Sequence, residues 1–132
     1  MSGKATGDFR SDLGRVRGLG SAKEGVHHWW MQRLSAIALV PLTIWFVASL
    51  VCHTGAGYDA VSAWLASPVI FGLMVLLIAA TFYHAALGLQ VIIEDYVHRE
   101  AAKIAALLLM KFTCGVLALA AIVALLVIAF GR

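Results

Sequence analysis

His84 is the one histidine set deep inside an apolar run, and the residues after it grade into charge: HAALGLQVIIEDYVH over residues 84–98. An ionisable side chain at that depth is costly in hydrocarbon and marks a functional site by default. A neutral imidazole bound to a metal avoids the cost. On a helix turning by about 100° per residue, His84, Gly88, Val91 and Asp95 share one face, with Ala80 one turn earlier. Small residues beside a histidine let a flat, bulky group approach the backbone, and haem has that shape. Tyr96 lies about 120° round from His84, beside Asp95. A phenol can donate a hydrogen bond to a quinone carbonyl, and a carboxylate can hold an arginine or relay a proton. The pattern suggests a redox cofactor at mid-membrane depth below a quinone at the rim.

Each feature also has a plainer reading. His84 can hydrogen-bond a neighbouring helix with no metal at all. Asp95 and Tyr96 can be an ordinary helix end, with a solvated charge and an aromatic at the lipid headgroups. Arg33, the last strong charge before the first apolar run, can snorkel to phosphates, or pair bidentately with a carboxylate such as a haem propionate. Trp29 and Trp30 suit an interfacial aromatic belt. Ser35 can donate to a quinone, although a serine bonding its own helix backbone is commoner. His53 falls at the opposite membrane edge from the candidate ligand and reads as an interfacial polar residue.

The elements that must position these groups are membrane spans. The chain has 132 residues, 62% of them hydrophobic and only 13% charged, a composition that belongs in a bilayer. It excludes nucleic-acid binding as the meaning of the slight positive balance, because the basic residues gather before the first apolar run. Cys52 and Cys114 fall in or beside apolar runs and read as buried free thiols. Residues 1–24 form a polar, Gly-rich tail expected to be cytoplasmic and to touch lipid or a soluble partner. Residues 25–132 form a three-helix membrane domain, with spans at about 34–53, 68–94 and 104–130. Pro41 should bend the first span or free a carbonyl. The connection after it contains Gly55, Gly57 and a candidate short interfacial helix, and lacks Lys and Arg, which puts it outside. Residues 94–103 form the cytoplasmic connection, supported by Arg99 and Lys103, and Lys111 snorkels from the third span. The N-terminus is then inside and the C-terminus outside. The first apolar run is long enough to span, which argues against a cleavable signal. No Arg/Ser-rich transit segment is evident, which favours a bacterial inner membrane over a mitochondrion.

The stretch from His84 resembles the second membrane helix of the D-type hydrophobic anchors of succinate dehydrogenase, in which a haem-ligating histidine is followed eleven and twelve residues later by Asp and Tyr, here Asp95 and Tyr96. A second, less specific match is GVHHWWMQR, which supplies Gly25, Val26, His27 and Arg33 in the family's order. The resemblance covers about residues 25–131. It implies an all-α integral membrane protein with three transmembrane helices, half of a heterodimeric anchor bundle. It implies His84 as an axial ligand of haem b, His27 and Arg33 near the haem propionates, and Tyr96 with Asp95 at a ubiquinone-reduction site. The other haem ligand would come from a second, C-type anchor. FAD and iron–sulfur clusters would lie only in a flavoprotein and an iron–sulfur protein, so the chain alone would not oxidise succinate. The alternatives are the anchor of a fumarate reductase or another small b-type cytochrome, and a structural membrane subunit without cofactor. Anchors with two haems need about four buried histidines, and only His84 is deeply placed here.

Overall fold

The computed structural model describes residues 23–131. Most of the tail expected over residues 1–24, and Arg132, lie outside the described residues. Four helices and no strand make up the described chain: α1 (Lys23–Cys52), α2 (Tyr58–Leu65), α3 (Pro68–Tyr96) and α4 (Glu100–Phe130). Three of them, α1, α3 and α4, are long and apolar enough to cross a membrane. At about 1.5 Å per residue each runs to roughly 45 Å, against a hydrocarbon core of about 30 Å. Their ends therefore reach into the headgroup layers or tilt to fit.

The helices outrun the spans expected from hydropathy. α1 begins at Lys23, so the polar segment 27–33 is a helix face and not a separate rim. The connection between α3 and α4 is only Val97, His98 and Arg99. The backbone turns extended at Val97 (φ −97°, ψ 103°) and again at Arg99 (φ −82°, ψ 117°), and Ala101, Ala102 and Lys103 are good helix formers that belong to α4. Hydropathy marks where lipid begins, whereas helix ends are set by backbone geometry, so the two differ by up to three turns here. Pro41 lies within α1 and the helix continues through it. Pro68 occupies the first turn of α3, where its missing N–H costs no hydrogen bond.

α3 is the middle helix. It packs on α1 along one side and on α4 along the other, and α1 and α4 do not touch among the described residues. At one end the short helix α2 folds back over α3 and α4. Leu65 of α2 meets Leu125 and Ala129 of α4 in a well-buried apolar cluster, with Ile70, Phe71 and Met74 of α3 around it. The rings of Phe71 and Phe130 lie 5.3 Å apart. Trp64 ties α2 to the end of α1, stacking on His53 at 4.4 Å and on Trp45 at 6.4 Å. Gly55, at φ +83°, makes the reversal that a side chain would resist. His53 is occupied locally: its Nδ1 donates to the Ser49 carbonyl at 2.8 Å. Cys52, expected to be buried, is exposed because it ends α1 on an unpacked face; Cys114 is half-buried, and both are free thiols.

A row of three helices has two open faces. Only Leu42, Leu65, Leu125 and Ala129 among the described apolar residues are buried, and most of the others face outward.

Candidate functional site

His84 lies where α1 and α3 press together, about 18 Å along the axis from Tyr96 at the end of α3. Its partners come from α1. Nδ1 is 2.9 Å from the Ser35 hydroxyl, and Nε2 is 3.3 Å from the Gln32 side-chain nitrogen. Ser35 is itself buried, and its hydroxyl donates to the Gln32 carbonyl at 3.0 Å. The neighbouring-helix contacts of the plainer reading are therefore present, close at Nδ1 and long at Nε2.

His28, Gln32 and Ser35 stand at i, i+4 and i+7, which puts them on one face of α1. That face meets the small-residue face of α3. A Cβ added at Gly88 would come within 3.5 Å of the Gln32 side-chain nitrogen. Two polar atoms in this contact have no partner: His28 Nε2 and Gln32 Oε1 are buried without a hydrogen bond. Such atoms are costly to leave unpaired. A cleft of about 530 Å³ adjoins it, lined by Gly25, His28, Trp29, Gln32, Arg33, Gly88 and Val91. The Arg33 guanidinium stands over the Trp29 ring, 4.1 Å from its centroid. Two glycines, an arginine and two unpaired buried polar atoms in this lining suit a group bearing carboxylates, such as a porphyrin; His84 itself is not in the lining.

His27 is not in the lining of this cleft, although a neighbouring one that it lines shares Gly25 and His28 with it. His27 is exposed, and the cleft it lines, of about 590 Å³, also includes Met31, Tyr83, Leu87, Gln90 and Glu94. Gln90 there donates to Glu94 at 2.8 Å, an i,i+4 bond along α3. Asp95 and Tyr96 lie beyond both clefts, and Tyr96 is 78% exposed. His98 Nδ1 donates to the Tyr96 carbonyl at 3.1 Å. Among the described residues, no three His, Cys, Asp or Glu side chains gather as a metal cluster.

His28 and Gln32 are the site residues that the sequence does not single out. Their signal is the i, i+4, i+7 spacing with Ser35, which has meaning only once residues 27–33 are known to be helical. Thr81 bonds its own backbone at the Leu77 carbonyl, 2.7 Å, as expected of a threonine in a span.

Comparison with known proteins gives a consistent result. The family model for the succinate dehydrogenase/fumarate reductase transmembrane subunit matches residues 8–130. The succinate dehydrogenase hydrophobic membrane anchor subunit of Rickettsia bellii is 35% identical over 92 residues, covering 70% of this chain and 74% of that protein. Its counterpart in Rickettsia conorii is 29% identical, covering 89% of this chain and 94% of its own. That of Paracoccus denitrificans is 31% identical, covering 80% and 81%. No solved structure matches the chain.

Proposed function

The chain belongs to the succinate dehydrogenase/fumarate reductase transmembrane subunit family, as a membrane-anchor subunit of succinate dehydrogenase, and from that premise we propose that it carries haem b on His84 and part of a ubiquinone-reduction site at Asp95 and Tyr96. The observation that carries the reading is the half-finished polar contact around His84: a histidine clamped from α1, beside a cleft whose buried Gln32 and His28 atoms lack partners.

Held by His84 and an imidazole of the second anchor, haem would supply single-electron transfer. The rest is the work of the chain. His84 offers Nε2 as the ligand nitrogen, and Gln32, held there at 3.3 Å, must turn aside. Gly88 keeps the floor of the cleft free of a side chain. Arg33 offers a guanidinium to one propionate, and His27, in the lining of the neighbouring cleft, would take the other. At the membrane rim the Tyr96 hydroxyl donates to a quinone carbonyl, and Asp95 orients polar neighbours and passes protons. Neither residue encloses a quinone by itself, so the pocket is completed by the iron–sulfur protein and by the second, C-type anchor, which also supplies the other haem ligand. FAD and the iron–sulfur clusters stay in the flavoprotein and the iron–sulfur protein.

Charge supports a topology. Arg99 and Lys103 mark the α3–α4 turn, and the α1–α2 connection has neither Lys nor Arg. The N-terminus is then cytoplasmic, the quinone end of α3 is cytoplasmic, and the C-terminus is periplasmic in a bacterial inner membrane.

A second reading has one observation in its favour: both His84 nitrogens already have partners on α1. Under it the anchor binds quinone and no haem. The reduced-minus-oxidised spectrum of the purified complex decides. Haem bands in the wild type that vanish in His84→Ala support haem ligation; bands that survive in His84→Ala, or a wild type without them, overturn it.

A further inference from the structure

We propose that Ser35 is a positioning residue for His84, fixing its tautomer so that Nε2 alone presents a lone pair toward the iron; the inference rests on the haem-ligand reading above. Ser35 Oγ has two close neighbours, the Gln32 carbonyl at 3.0 Å and His84 Nδ1 at 2.9 Å. A hydroxyl has one proton and two acceptor lone pairs. A carbonyl oxygen can only accept, so for both contacts to be hydrogen bonds the proton goes to the Gln32 carbonyl. The oxygen then meets Nδ1 with a lone pair, and Nδ1 must carry the hydrogen. One ring proton on Nδ1 leaves Nε2 bare.

The other contact agrees. The Gln32 side-chain nitrogen, which only donates, is the atom facing Nε2 at 3.3 Å. Ser35 is buried in the α1–α3 contact, so no water competes for the bond. The rotation of the ring is fixed by the same contact, since α1 and α3 pack directly here.

The bond has an electronic consequence. An acceptor on the far nitrogen raises the basicity of a ligating histidine. A more basic ligand favours ferric over ferrous iron. A neutral hydroxyl does this more weakly than the carboxylate that often fills the role.

The test is a redox titration of haem in the purified complex for wild type, Ser35→Ala and Ser35→Thr. Ser35→Ala should raise the midpoint potential and weaken haem retention by about 10- to 100-fold, the usual cost of losing such a partner. Ser35→Thr, which keeps the hydroxyl, should restore both. Wild-type potential and retention in Ser35→Ala would overturn the inference. If Ser35→Ala fails to assemble, Ser35→Cys, close in size and a weak acceptor, replaces it: a raised potential supports the inference, an unmoved one overturns it. Failure of this inference is distinguishable from failure of the ligand reading. If His84→Ala loses haem while every Ser35 variant behaves as wild type, only the role of Ser35 falls. If His84→Ala keeps haem, both fall.

Discussion

Tyr96 and His84 sit on one helix and stand in opposite situations. The phenol is 78% exposed and its hydroxyl has no partner among the described residues, while the imidazole is held at both nitrogens. A phenol that acts by donating to a quinone should lose that role, and little else, when its oxygen is removed. Tyr96→Phe is expected to lower succinate–quinone reduction roughly 10-fold, the upper range for one hydrogen bond. Succinate oxidation with an artificial acceptor should survive, since that electron path ends before the quinone. Assaying both activities on one preparation checks the point, and equal loss of both would remove Tyr96 from the quinone site. At this scale the sequence was informative where cost is visible in one dimension. A histidine in an apolar run advertises itself, and so does an Asp–Tyr pair where that run ends. Gln32 and His28 gave no such signal. Polar residues near a membrane edge are ordinary, and only the packing of α1 on α3 turns these two inward.

At the scale of elements, small residues decide how closely the helices approach. The Cβ that alanine would add at Gly88 makes ordinary contact with Gln32 at 3.5 Å. Gly88→Ala is therefore expected to keep haem content near wild type. Gly88→Leu fills the cleft and should cut haem content several-fold without abolishing assembly, read as haem per complex by pyridine haemochrome. Loss of haem in neither variant would place the cofactor elsewhere. Ala129 is a different case, 2% exposed where α4 meets α2. Ala129→Leu overpacks that contact and should destabilise the fold by about 1–3 kcal/mol, seen as a lower Tm of the detergent-solubilised complex. The haem spectrum should be unchanged, because this cluster lies at the opposite end of α3 from Tyr96. Three spans and the short helix α2 were legible from apolar run lengths and from Trp64 and Gly55. The helix ends were not, because hydropathy is silent about backbone that remains helical in the headgroup layer.

For the whole molecule, the arrangement in a row determines what the chain can do alone. α3 is flanked on two sides, yet α1 and α4 never meet among the described residues, so no closed bundle forms. In lipid there is no hydrophobic drive to close one; helices associate through packing and polar contacts. The polar contact at hand is the α1–α3 clamp around His84, and it is left with two unpaired buried atoms. If His84 holds haem as proposed, a single imidazole also cannot supply both histidine ligands. Under the proposed function, a second anchor laid against α1 and α3 would meet both shortfalls. The full chain expressed alone should therefore extract into mild detergent as a polydisperse species without haem absorption. Co-expression with the second anchor should give a monodisperse, haem-containing peak on size exclusion with a higher Tm. A lone chain that ran as one sharp species and held stoichiometric haem would show that the row is self-sufficient, and the case for a shared site would fail with it.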